Sequence, residues 1–288
     1  MAIVGAGRVA TALGVLLERA GHRVLVASGR QGSRDRAARH LPHVPFVPLD
    51  RAAERTPEAE AVLLGVSDDH VAPVCRALCQ AGGVRPGQFV LHLSGSLGLE
   101  ALAPAEALGA EVLSLHPLQS FPTVERGVER FPGSGAAVTA RTERGFAFGE
   151  ALARDVGGVP FRLEDGLKPL YHAAAVFAAN YLVTVEAVAE RLFRLAGLTH
   201  PAPLFAPLAR AVLDRALAEG PAAALTGPAV RGDTGTVRRN LEALAARAPE
   251  VVPAYVALAR LAAGVAHGAG HLSEEGRARV EEALASWG

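Results

Sequence analysis

The 288-residue sequence predicts an α/β domain with a mostly parallel sheet, followed by an all-α domain. Three observations carry this. Short apolar, β-rich runs alternate with amphipathic helical patterns as far as residue 164. The strand signals then stop, and from residue 165 onward only helical periodicity remains. The expected domains are therefore 1–164 and 165–288.

In chain order the strands are expected at Ala2–Val4, Arg23–Ala27, Pro45–Val47, Ala61–Val66, Phe89–Leu93, Glu111–Leu115, Ala136–Thr139 and Pro160–Arg162. The central ones are apolar on successive residues, as strands covered on both faces are. Helices are expected between them at Val9–Ala20, Ser33–His40, His70–Ala81 and Thr142–Val156. A long helix should then run from Lys168 to Leu198, about 45 Å at 1.5 Å per residue. Pro203–Glu219, Thr236–Arg247, Val251–Ala266 and Glu274–Ser286 follow, with start signals at Asp233 or Thr234 and at Ser273.

Half the residues are hydrophobic, enough for a sizeable core, and acidic and basic residues balance at 29 each. That balance removes the electrostatic reason to expect nucleic acid or an anionic membrane and points to a small-molecule ligand. No uninterrupted apolar run reaches the ~20 residues that span a bilayer, and the sequence opens on a strand, so a cytoplasmic protein is expected. Cys75 and Cys79 lie four apart in a helical stretch and read as free, buried or half-buried thiols; no metal site is expected.

The first strand runs directly into Gly5-Ala6-Gly7-Arg8-Val9-Ala10, a G-x-G-x-x-A turn that opens a helix. In that pattern the first glycine makes the turn, the second lets the backbone approach a pyrophosphate, and the small last residue lets helix and strand pack closely. The second strand ends Ala27-Ser28-Gly29-Arg30, with no carboxylate until Asp35. A hydroxyl and a guanidinium there suit a ribose 2′-phosphate, which a carboxylate would repel, so NADP is the expected cofactor. Val66-Ser67 and Ser94, at the carboxyl ends of later strands, should line the same cleft. Asp68 or Asp69 either faces it or caps the next helix.

Two segments carry residues suited to chemistry. Leu115-His116-Pro117-Leu118-Gln119-Ser120-Phe121 follows a buried strand, and His116 can polarise a carbonyl or move a proton, with Gln119 and Ser120 as substrate contacts. Lys168-Pro169-Leu170-Tyr171-His172 opens the long helix, and Lys168 is the only lysine in the chain. Lys168 and His172, four apart, share a helix face, and a lysine amine suits proton donation during hydride transfer. Asn180 on the same helix is a further substrate or interhelical contact. Arg231, in the glycine-rich loop Thr226–Thr234, suits a substrate carboxylate, and Asp233 a helix cap. The loop either reaches the cleft or forms a subunit interface.

Together, Gly5-Ala6-Gly7, the His116–Phe121 loop, the Lys168–Tyr181 helix and Thr226-Gly227-Pro228 with Arg231-Gly232-Asp233 resemble a family of Rossmann-like oxidoreductases whose helical C-terminal half is a domain of unknown function. More remotely the sequence is similar to ketopantoate reductase, pyrroline-5-carboxylate reductase, β-hydroxyacid dehydrogenases and prephenate dehydrogenase. The resemblance implies hydride transfer between NADPH and the C=O or C=N group of a small carboxylate-bearing metabolite, in a homodimer joined through the helical domain. Where hydroxyacid dehydrogenases and ketopantoate reductase place an asparagine one turn after their lysine, this chain has His172. The alternative from another class is a non-catalytic NADP-binding regulator or scaffold.

Overall fold

The computed structural model of the chain describes residues 1–287 and divides into two compact units, Met1–Ala178 and Ala179–Gly288. In the first unit the strands are β1 (Ala2–Val4), β2 (Val26–Gly29), β3 (Phe46–Pro48), β4 (Ala61–Leu64), β5 (Phe89–His92), β6 (Glu111–Pro117), β7 (Gly135–Ala140) and β8 (Val159–Arg162). The helices among them are α1 (Arg8–Arg19), α2 (Gln31–His40), α3 (Asp68–Gln80), α4 (Ala103–Glu106), α5 (Val124–Arg130), α6 (Glu143–Asp155) and α7 (Lys168–Ala175). One eight-stranded sheet has the order β3-β2-β1-β4-β5-β6-β7-β8, parallel except where β7 runs against β6. The chain reverses direction across the sheet between β1 and β4, and an open α/β sheet binds ligands outside its strand ends at such a point.

The strand register explains the two cores. Ile3, Leu63, Leu91 and Leu113 are neighbours across β1, β4, β5 and β6, and they pack on one face against Leu13 and Leu17 of α1 and Leu152 of α6. The opposite face carries Val4, Val62, Leu64, Val90 and Val112 against Val71, Cys75 and Leu78 of α3. Each such fully buried aliphatic side chain contributes roughly 1.5–3 kcal/mol. One row on this second face changes character: Val4 and Leu64 are followed by His92, Ser114 and Thr139, all at most 1 % exposed. The apolar core thus turns polar at the carboxyl edge of β5 and β6.

The first compact unit runs beyond the expected domain end at residue 164, because the start of α7 is anchored on the sheet by the side chain of Lys168. The expected strand Arg23–Ala27 sits further along, at Val26–Gly29, where Ala2 to Val4 of β1 pair with Val26 to Ser28. Beyond α7 the expected long helix continues through a π-helical segment, Val176–Tyr181, into α8 (Leu182–Leu195).

The second unit is all helical: α8, α9 (Pro201–Glu219), α10 (Pro221–Ala224), α11 (Thr234–Arg247), α12 (Val252–Gly268) and α13 (Glu274–Ala285). Asp233 caps α11 by accepting the Thr236 amide at 3.0 Å, and Ser273 caps α13 through the Gly276 amide at 3.1 Å. Val237, Leu241, Val256, Ala263 and Val280 form its core. Two helical stretches, Asp165–Leu195 and Pro249–Gly268, are long and apolar enough to cross a membrane by length and composition alone. Charged residues, such as Glu186 in the first and Arg260 in the second, interrupt the apolar run in each. The first stretch contains the buried Lys168, and the second gives Val256, Ala259 and Ala263 to the core of its unit.

Candidate functional site

The glycine turn is built by close packing. The Gly5 and Ala6 amides both donate to the Ser28 carbonyl, at 2.9 and 2.8 Å, which bends the chain off β1. Gly5 has φ +87°, and a Cβ there would meet Val66 Cγ1 at 2.4 Å, so both backbone conformation and space require glycine. At Gly7 a Cβ would come within 3.0 Å of the Gly65 carbonyl, and at Gly65 within 2.3 Å of Ala10 Cβ. Ala6 and Ala10 are buried and Val9 half-buried, so these three serve packing, while the backbone opens toward a ligand. Arg8 points outward and donates to the Pro122 carbonyl at 2.9 Å, and Arg36 holds the turn from below through the Ala6 carbonyl at 2.7 Å.

Beside this turn lies a cleft of about 220 Å³ lined by Gly5, Gly7, Arg30, Ser33, Val66 and Ser67. It adjoins a more apolar hollow of about 490 Å³ between Leu49, Asp50, Pro73, Val74 and Ala77, sharing Gly29, Arg30 and Leu49 with it. Ser67 accompanies His70, whose Nδ1 is 2.9 Å from the Ser67 hydroxyl. Ser28 does not take its expected place. Its side chain is 1 % exposed and donates at 3.4 Å to the Ile3 carbonyl, because β2 alternates and turns that residue into the sheet. Ser33, three residues beyond Arg30 in the first turn of α2, presents a hydroxyl to the cleft in its stead.

The second constellation surrounds Lys168. Its side chain is 0 % exposed, and Nζ donates to the Ser94 carbonyl at 3.0 Å and to the Ser114 hydroxyl at 2.8 Å. Burial draws its amine down to about 8, against the smaller upward pull of Asp165, Asp68 and Glu100. Ser94 contributes its carbonyl here, not a free hydroxyl: that group donates to Asp68 Oδ2 at 2.8 Å and accepts the Ser96 and Leu97 amides. Asp68 also receives the Ser96 hydroxyl at 2.8 Å, and no side-chain cap is formed on α3.

His116 lies at the end of β6 with Nδ1 2.8 Å from the Tyr171 hydroxyl, and its ring packs on Gly95, where a Cβ would meet Nε2 at 2.8 Å. Burial first, then the nearby Lys168 and His172, push its imidazole down to about 4. The ring is neutral near pH 7. Tyr171, a helical neighbour of Lys168 three residues on, is held protonated by burial, its phenol pushed up to about 12. His172 is exposed, its ring centre 6.4 Å from that of His116. Thus Lys168 and His116 come together as expected, with Tyr171 the partner that sequence reasoning passed over.

Of the other expected contacts, Gln119 is half-buried and Ser120, Asn180 and Arg231 are exposed. The Gln119 amide is spent on the Arg130 carbonyl at the end of α5, the Ser134 hydroxyl before β7 and the Ser120 amide. In the second unit Asn180 lies in the π-helical segment, its carbonyl accepting the Thr184 hydroxyl at 3.0 Å.

Residues 1–117 match the model of a Rossmann-like domain, and residues 134–262 match a model described as a domain of unknown function, DUF2520. No curated protein matches the sequence. Among solved structures, a candidate NADP oxidoreductase of Bacteroides fragilis is 24 % identical, with a TM-score of 0.76 over 91 % of this chain and 97 % of its own. A Thermotoga maritima protein, also 24 % identical, gives 0.70 over 93 % and 98 %. A reductive aminase of Aspergillus terreus, solved with NADPH, is 18 % identical with a TM-score of 0.59 over 99 % and 93 %. At these identities the likeness is one of fold. The chain thus joins a match to a Rossmann-like domain with a match to a DUF2520 domain.

Proposed function

We propose that this protein is an NADP-dependent oxidoreductase that transfers hydride to the C=O or C=N group of a small carboxylate-bearing metabolite. The observation that carries the reading is the glycine cradle at the switch point, in which Gly5, Gly7 and Gly65 admit no side chain and the adjoining cleft runs on past Arg30 and Ser33. The residues fit the nucleotide: the helix α1 N-terminus and the open backbone suit a pyrophosphate, and Arg30 with Ser33 suits a 2′-phosphate. The fold relatives include a candidate NADP oxidoreductase and a reductive aminase with NADPH bound, which supports the same cofactor here. When bound, the nicotinamide supplies the hydride.

The residues around Lys168 supply the rest. A neutral His116 polarises a carbonyl or imine by hydrogen bonding without carrying charge, and Tyr171 orients that ring. Lys168 is the proton source, since an amine near 8 exchanges its proton in the working range. Gln119 and Ser120 frame the His116 loop. The complete burial of Lys168 is also what a non-catalytic NADP-binding regulator would show, which keeps that second reading in view. Fluorescence titration distinguishes cofactors first. NADPH is expected to bind at least tenfold more tightly than NADH, a preference of about 1.4 kcal/mol or more, and Arg30→Ala with Ser33→Ala should remove it. Equal affinity for both would defeat the NADP assignment.

The protein is proposed to act in the cytoplasm, as a homodimer formed through the helical unit. On α9 of that unit Leu204, Leu208 and Leu217 are 68, 66 and 79 % exposed, and Val183 on α8 is 68 % exposed. Large exposed apolar side chains of this kind favour association. Light scattering is expected to give twice the chain mass of 29.7 kDa, and Leu204→Glu with Leu208→Glu to return the monomer.

A further inference from the structure

We infer that His92 and Ser114 are positioning residues that build the seat in which the Lys168 ammonium is held. They are register partners on the adjacent strands β5 and β6, so their side chains stand side by side on one face at the carboxyl edge of the sheet. Both are 0 % exposed. In the same row Val4 and Leu64 show what the core would otherwise place there. Two polar groups at such positions cost stability unless their hydrogen bonds return it.

Their bonds converge on one turn. His92 Nδ1 accepts the Ser94 amide at 3.2 Å, which folds the chain back at the end of β5 and aims the Ser94 carbonyl at Nζ of Lys168. Ser114 closes the triangle: its hydroxyl donates to that carbonyl at 3.2 Å and accepts from Nζ at 2.8 Å. With Nδ1 an acceptor, the His92 ring carries its proton on Nε2. His92 is therefore neutral, consistent with burial and the neighbouring Lys168 pushing it down to about 4. The seat offers a carbonyl and a hydroxyl, neither of them charged, so it supports the ammonium but less strongly than a carboxylate would. The charged and titratable groups facing Lys168 are Asp165 at the start of its own segment, Asp68 on α3, Glu100 after β5, His92 on β5 and His116 on β6.

The inference rests on the oxidoreductase reading only in giving that amine a task. Its test does not need a substrate, because a chain with one lysine labelled with carbon-13 lysine gives one Cε signal to titrate. The wild type should titrate near 8. Ser114→Ala and His92→Leu each remove support from the charged form and should lower that midpoint by about one pH unit. Ser114→Thr and His92→Gln, which keep an acceptor, should restore it to within a few tenths. If Ser114→Ala does not fold, Ser114→Cys makes the same comparison with a weak acceptor. Folded variants whose midpoint stays at the wild-type value, or a wild type titrating as an ordinary lysine, would overturn the seat. NADPH titration of the same proteins separates the two ideas: a wild type that binds no NADPH defeats the oxidoreductase reading alone, and unmoved midpoints with intact NADPH binding defeat the seat alone.

Discussion

Lys168→Met is expected to lower NADPH-dependent turnover by about 10²–10⁴-fold, the range of a lost general acid, while leaving NADPH affinity within about threefold. The substitution should not unfold the protein. Methionine approximates the lysine stem in volume, and the Ser114 hydroxyl still bonds the Ser94 carbonyl, so both acceptors left behind remain partly satisfied. Removing a buried amine that has no carboxylate partner is expected to leave the melting temperature unchanged or raised. Activity and stability thus move in different directions, which separates a chemical role from a structural one. In the wild type the rate of reduction should hold below about pH 8 and fall above it, as the amine loses the proton that it must donate. A variant with near-normal turnover would contradict the general-acid role of Lys168.

Acid is expected to destabilise the first unit steeply, beginning near neutrality. His92 and His116 both have imidazoles depressed from 6.5 to about 4, mainly by burial. Between those values the unfolded chain binds protons that the folded chain refuses, so stability falls as pH drops from 6.5 to 4. The loss is on the order of 3 kcal/mol for each imidazole once both limits are passed. Lys168 acts in the alkaline range with the same sign: its amine is depressed from 10.5 to about 8, so stability rises as pH climbs through that window. Urea denaturation at pH 7 and pH 4.5 measures the first effect. His92→Gln and His116→Gln should each flatten the acid slope, and a slope unchanged in both would contradict the burial of these rings.

The parts of this fold that sequence made legible were those governed by local pattern. The G-x-G-x-x-A turn was readable because a positive φ at Gly5 and the packing of Ala10 on Gly65 restrict residue type at fixed spacing. The strands β4 to β6 were readable as apolar runs, and Asp233 and Ser273 as caps. The direction of a side chain near a strand end was not readable, since one residue of register reverses it. Ser28 therefore looked like a nucleotide contact although it points into the sheet, and Ser33 looked like an ordinary helix start. Lys168 was singled out by its rarity and its place at the head of a helix. Its seat was invisible because His92, Ser94 and Ser114 lie 54 to 76 positions away and meet it only through strand pairing.

Nucleotide binding at the glycine turn is tested most directly by hydrogen–deuterium exchange of the wild-type protein with and without NADPH. Protection is expected in the peptides carrying Gly5–Ala10, Gly29–Ser33 and Gly65–Ser67, and NADH should produce less of it at equal concentration. Unchanged exchange in all three segments at saturating NADPH, or protection confined to the helical unit, would contradict it.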